Sequence, residues 1–178
     1  MQMELIRVTD PESERLKRSL RDYAESFPCH EQREAASQAA ILADPAYHFA
    51  VIVEDGADVG SILYWETAEF LYIEHFYVYS AYRGRAYGSA VLRRLRQSGK
   101  TVILEIDPPV DEVSVRRKRF YERNGFAVNP YAHVHPPYHR GDTGHSLVVL
   151  SSPVPLTPEA YGVFDRYLRT HIMADAFL

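Results

Sequence analysis

The sequence predicts a mixed α/β domain, and three patterns carry that reading. Residues 71–79 form an apolar, aromatic run containing Tyr72, Ile73, Phe76, Tyr77 and Val78, which reads as a buried strand. A turn with two glycines, Arg83-Gly84-Arg85-Ala86-Tyr87-Gly88-Ser89, follows it and leads into the helical stretch Ala90-Val91-Leu92-Arg93-Arg94-Leu95. Residues 101–106 then return to β-rich composition, and a helical pattern over 111–124 ends at Gly125.

The other elements can be justified in chain order. Residues 5–8 make a short first strand. Leu16, Leu20 and Tyr23 recur at helical spacing, so 11–26 reads as a helix with Asp10 as its N-cap and Pro11 in its first turn. Residues 31–42, rich in Ala and Glu, read as a second helix. The runs 47–54 and 59–65 flank Asp55-Gly56-Ala57-Asp58, and Asp-Gly is a strong hairpin signal. The basic helix covers about 87–97 and stops at Ser98-Gly99-Lys100. After Gly125, Phe126-Ala127-Val128 starts another strand. Residues 133–144 read as a polar loop, within a longest irregular segment of 129–144, and 145–150 as a further strand. Thr157 caps a last helix with Pro158 at its first position. No repeat or linker divides the 178 residues, so one domain is expected, with a core over about 1–128 and a C-terminal extension over 129–178.

Composition narrows the function classes. Hydrophobic residues make up 46% and charged ones 25%, which is ordinary for a globular chain, and no apolar run is long enough to span a membrane. The start has no secretory apolar region, and a lone Cys29 excludes an internal disulfide; a cytoplasmic protein is expected. The net charge of −4 hides a basic sector: residues 81–123 carry 11 Lys and Arg against 5 Asp and Glu. Part of that excess, at Arg93, Arg94 and Arg96, reads as a solvated helix face. The rest favours an anionic ligand. Nucleic acid is disfavoured, because the whole chain is acidic and no aromatic platform interleaves the arginines.

A strand, a glycine-bearing turn and a helix N-terminus form an anion site, since the first N–H groups of a helix have no internal partner. Phe76-Tyr77-Val78, the 83–88 turn, Leu104-Glu105-Ile106 and Phe120-Tyr121-Glu122-Arg123-Asn124-Gly125-Phe126 follow in order. In that order and spacing they resemble the GNAT superfamily of N-acetyltransferases. The resemblance covers about residues 47–128. A group within that superfamily is similar in having a Glu-His pair on the strand and a later Pro-Pro-Tyr loop, here Glu74-His75 and Pro136-Pro137-Tyr138. The resemblance implies a mixed, mostly antiparallel sheet with helices on both faces, splayed between its fourth and fifth strands. It implies acetyl-CoA as co-substrate, with pantetheine along Phe76, Tyr77 and Val78 and pyrophosphate on Arg83, Gly84, Arg85, Ala86, Tyr87, Gly88 and Ser89. Ala86, Ser114 and Arg117 depart from the usual pattern. Ala86 stands where a glycine is common, and its methyl is expected to resist a positive φ. Ser114 and Arg117 are kept as cofactor-binding positions.

Acetyl transfer to an amine needs a base, an oxyanion donor and an acid for the leaving thiolate. The resemblance makes Tyr121 the acid. Glu74 and Glu105 are the candidate bases. Strand alternation sets Glu74 on the side of Tyr72 and Phe76, with His75, a lesser candidate, on the other. Backbone N–H groups near Val78 would polarise the acetyl carbonyl. His133, His135, His139 and His145 fit no standard metal template, so no metal is expected. Tyr138 and His139, with Tyr131, are expected to line the acceptor pocket. The expectation is an N-acetyltransferase acting on a small-molecule or protein amine, as monomer or homodimer; the alternative is a non-catalytic acyl-CoA-binding module of the same fold.

Overall fold

The protein is described by a computed structural model covering residues 3–177. The strands are β1 (Met3–Arg7), β2 (Tyr47–Glu54), β3 (Ala57–Glu66), β4 (Phe70–Val78), β5 (Thr101–Ile106), β6 (Ala127–Val128), β7 (His133–His135) and β8 (His145–Ser152). The helices are α1 (Glu14–Ser26), α2 (Ala35–Ile41), α3 (Tyr87–Arg96), α4 (Glu112–Arg123) and α5 (Pro158–Tyr167), the last running into a π-helical turn, Leu168–Ile172. The sheet order is β1-β2-β3-β4-β5-β8-β6, with β7 beside β8, and β4–β5 is the one parallel pair among otherwise antiparallel neighbours. None of the described helices is long and apolar enough to cross a membrane.

The sheet divides two cores. On one face, Leu16 and Tyr23 of α1, Ile41 of α2 and Phe164 of α5 pack over Phe49, Trp65 and Tyr72. On the other, Val91, Leu92 and Leu95 of α3 pack over Ile52, Ile62, Ile73 and Leu104, joined by Phe120 and Tyr121 of α4. Each such fully buried aliphatic or aromatic side chain contributes roughly 1.5–3 kcal/mol.

Several boundaries differ from the sequence reading, for local reasons. Helix α1 starts at Glu14, not at Pro11. Ser13 Oγ accepts the Leu16 N–H, while Asp10 Oδ1 holds the Glu12 N–H in a preceding turn. The second helix is shorter than expected, because residues 32–34 run extended and send Arg33 into the core. The hairpin turn is two residues, Asp55 and Gly56, both at positive φ, and β3 already begins at Ala57. The polar segment 133–144 is not all loop. Its first three residues pair with β8, His133 opposite Leu147 and His135 opposite His145.

Candidate active site

Strands β4 and β5 pair only from Phe70–Thr101 to Ile73–Leu104 and then part. The parting coincides with a β-bulge. On β3, Leu63 faces His75 and Tyr64 faces Ile73, so Glu74 is an extra residue without a partner. A bulge re-aims side chains and bends its strand. It also breaks the alternation on which the strand reading relied. Glu74 and His75 both turn to the α1 and α2 face, where Glu74 meets Arg33 and His75 packs on Tyr23 and Phe27. Phe76 joins the opposite core.

Between the parted strands lies a cleft of about 360 Å³. Its walls include Glu74 to Val78 of β4, Glu105 of β5, Arg83, Arg117, Tyr121, His135 and Tyr138. Beyond Ile73 the β5-facing edge of β4 has no strand partner. Behind Arg83 the chain reaches α3 through Gly84 at φ 77° and Ala86 at φ 62°. Ala86 thus adopts the left-handed conformation its methyl was expected to resist, at a cost of about 1–2 kcal/mol. Helices α1, α4 and α5 have side-chain caps at Ser13, Asp111 and Thr157, but the N-cap of α3 makes no side-chain hydrogen bond. The N–H groups of Tyr87, Gly88 and Ser89 therefore have no cap partner. Gly88 lies under the rings of Phe120 and Phe76, where an added Cβ would come within 3.2 Å of Phe120.

Each oxygen of both candidate carboxylates already accepts a hydrogen bond. Glu74 accepts from Arg33 Nε at 2.8 Å, Trp65 Nε1 at 2.8 Å and Tyr138 Oη at 3.0 Å. Glu105 accepts from Tyr72 Oη at 2.5 Å and pairs with His133 Nε2, and His135 Nε2 stands 4.0 Å away. Burial by itself would raise both carboxyls. It is outweighed by Arg33 and His75 at Glu74, and by His135, His133 and Tyr72 at Glu105, so both are held below the ordinary glutamate range. His75 is pushed down by burial and stays neutral, its Nε2 meeting the Glu31 carbonyl at 2.7 Å.

Tyr121 is packed between Phe120 and Phe126 with ring centroids at 5.2 and 5.8 Å. Burial pushes its phenol up to about 12, against a small opposing pull from Arg117. Its hydroxyl has no hydrogen-bond partner among the described residues. Arg117 pairs with Asp107 at 2.8 Å on the rim. Ser114 is occupied in the cap of α4, where its hydroxyl accepts the Val110 and Asp111 N–H groups and Asp111 Oδ1 accepts the Ser114 N–H. Tyr138 faces the cleft, whereas His139 turns to the Cys29 carbonyl at 2.8 Å and to Glu34. Among the described residues no group of three ligating side chains forms a metal site.

The sequence does not single out Arg33, Trp65 or Tyr72, and it offers His133 and His135 only as members of the histidine cluster at 133, 135, 139 and 145. The His-x-His alternation at 133–135 was the one available signal, since it is the period of a strand.

Similarity to known proteins agrees with this geometry. The model of the GNAT acetyltransferase domain matches residues 45–128. YjbC, a candidate acetyltransferase of Bacillus subtilis (strain 168), is 29% identical over 108 residues, 58% of this chain and 53% of that protein. The matched part thus spans about half the length of that curated relative. A candidate GNAT-family acetyltransferase from Bacteroides thetaiotaomicron superposes with a TM-score of 0.85 at 29% identity, covering 97% of this chain and 98% of that one. Arabidopsis thaliana Naa50, bound to a CoA-containing bisubstrate analogue, shares the fold at a TM-score of 0.58, with 16% identity over 85% of this chain and 99% of its own. With its sheet parted after Ile73 and Leu104 and the domain match running from residue 45 to Val128, the chain is similar to the GNAT acetyltransferases in fold and over nearly half of its sequence.

Proposed function

We propose that the protein transfers the acetyl group of acetyl-CoA to a primary amine by direct attack. The observation that carries this reading is the cleft between β4 and β5, which combines a strand edge, a helix start without a side-chain cap and a phenol, the edge and the phenol having no partner among the described residues. The unpaired edge at Phe76, Tyr77 and Val78 suits an extended, amide-bearing arm, as an added strand would. The free N–H groups at the start of α3, with Arg83 and Arg85 before them, suit a pyrophosphate. Val78 offers its carbonyl to Arg83 Nε at 3.1 Å, which fixes the basic side chain beside the strand end. Tyr121 is the acid that protonates the leaving thiolate. At about 12 it keeps its proton until the thiolate develops.

The second reading, a module that binds acyl-CoA without turnover, is favoured by one observation: every carboxylate oxygen of Glu74 and Glu105 already accepts a hydrogen bond. Thiol release from acetyl-CoA against spermidine, kanamycin, lysine and an alanine-terminated peptide separates the two. Amine-dependent release supports transfer. Calorimetric binding of acetyl-CoA with no release over the buffer rate for any amine supports the binding module.

A further inference from the structure

The acetyl-transfer reading leaves one demand open. An alkylamine is mostly protonated at neutral pH, because its free pKa lies near that of lysine, about 10.4. Something in the cleft must accept that proton. Glu74 holds three donors and Glu105 two, with at least one on every carboxylate oxygen, so an incoming ammonium would have to share an oxygen that is already bonded.

His135 differs from both. It sits on β7 and is 2% exposed, yet it lines the cleft. Its Nδ1 lies 2.6 Å from the Pro136 carbonyl. A carbonyl only accepts, so the contact fixes the ring proton on Nδ1 and leaves Nε2 with an open lone pair. The groups around that lone pair offer it no committed donor. Tyr138 Oη is at 3.5 Å, with Glu74 Oε1 closer to it at 3.0 Å. Glu105 Oε2 is at 4.0 Å and has no proton to give. His75 of β4 is turned to the Glu31 carbonyl, and His145 of β8 is stacked on His30. Glu105 is itself pinned by Tyr72 and His133, so its charge faces Nε2 from a fixed position.

We propose that His135 is the proton acceptor for the amine, with Glu105 the fixed counter-charge that stabilises the imidazolium; this rests on the acetyl-transfer reading. The protons balance as follows. Nε2 takes one proton from the ammonium and becomes an imidazolium beside Glu105. The freed nitrogen lone pair forms the C–N bond to the thioester carbonyl carbon. The C–S bond breaks with its electron pair on sulfur, and Tyr121 gives the thiolate a proton. The nitrogen loses its second proton, which restores Tyr121 through solvent. His135 releases its own to bulk, so one proton is set free per acetyl group transferred.

The role of Glu105 is then positional, and that of His135 direct. Two measurements test the latter. The first uses nitrogen-15 NMR on histidine-labelled protein. The His135 resonance is expected as the Nδ1–H tautomer. An Nε2–H tautomer overturns the proposal whatever the activity. The second compares His135→Gln with wild type from pH 6 to 9.5, using thiol release with whichever panel amine is turned over. The kcat/KM of the variant is expected to fall about 10²-fold at pH 7. The deficit should narrow to several-fold at pH 9.5, where the free amine is supplied by solvent. A deficit of the same size at every pH marks a structural role and overturns the assignment, as does no deficit at all. If no amine is turned over by wild type, the acetyl-transfer reading fails and the role of His135 fails with it. If wild type turns over an amine and His135→Gln matches it at all pH values, only the base assignment fails.

Discussion

Arg33 Nε meets Glu74 Oε1 at 2.8 Å, and both side chains are fully buried. The pair gathers much of the molecule around it. Arg33 also donates to Ser37 Oγ at 3.1 Å and to the Ile172 carbonyl at 2.7 Å, and its N–H reaches Tyr23 Oη at 3.0 Å. Glu74 draws in Trp65 and Tyr138. So α1, α2, the bulge of β4 and the turn after α5 share one ionic centre directly behind the cleft. Removing one partner leaves the other charge buried and unpaired, which costs about 3–5 kcal/mol. Arg33→Met should therefore lose that much in urea unfolding. Adding Glu74→Leu should recover only part of it, because Trp65 and Tyr138 would then lack their acceptor. A single variant within 1 kcal/mol of wild type would contradict this account.

Acid should act on the same region. Glu74 and Glu105 are held below the ordinary glutamate value of 4.5, and burial holds His75 below the ordinary histidine value of 6.5. In each case the unfolded chain binds protons more readily than the folded one, so stability rises with pH through that range. The contribution of the two carboxylates is complete above 4.5 and is lost as pH falls through their folded values. The contribution of His75 is complete above 6.5 and is lost in the same direction. Urea midpoints taken from pH 7.5 to 3 should decline gently below 6.5 and steeply below 4.5. His75→Phe should reduce the gentle part, leaving the share of His48, which burial also holds below 6.5. A stability maximum below pH 5 would be inconsistent with these shifts.

Ala86 presents a different kind of cost. Its φ of 62° is disfavoured for any side chain by about 1–2 kcal/mol. Glycine removes that strain but adds about 0.5–1 kcal/mol of backbone entropy to the unfolded chain. Ala86→Gly should therefore be about 0.5 kcal/mol more stable than wild type, read as a small rise in melting temperature. Acetyl-CoA should bind at least as tightly, since the turn is unchanged. A clear loss of stability would mean that the methyl makes contacts that outweigh the strain.

How much of this was legible beforehand depends on how local the cause is. The helix α3 and the cap of α5 at Thr157 follow from residues within one turn of each other, and they sit where the sequence put them, while Asp111, expected inside α4, caps it. The bulge at Glu74 does not follow from its strand. A period of two is the only rule a lone strand offers, and the extra residue appears only when β3 is laid alongside. Arg33 was invisible for the same reason, because its partners Glu74 and Ile172 lie 41 and 139 residues away. Residues 133–135 looked polar and so loop-like. They become a strand because β8 accepts them, with both histidines turned inward and Val134 outward.

Tyr121 offers the cleanest separation of chemistry from packing. Its ring lies against Phe120 and Phe126, and phenylalanine keeps those contacts. Its hydroxyl bonds to nothing among the described residues, so Tyr121→Phe breaks no hydrogen bond and leaves no buried donor unpaired. Melting temperature and acetyl-CoA affinity should stay near wild type. If the phenol protonates the leaving thiolate, kcat should drop about 10²-fold, within the range for losing a general acid. Because burial holds the phenol near 12, the wild-type enzyme should keep its proton donor across the whole neutral range, and the base limb of its pH profile should not fall below pH 9 on account of Tyr121. Full turnover in Tyr121→Phe on an amine identified by the thiol-release panel would make the ring a packing element only, and the thiolate would then leave unprotonated into water.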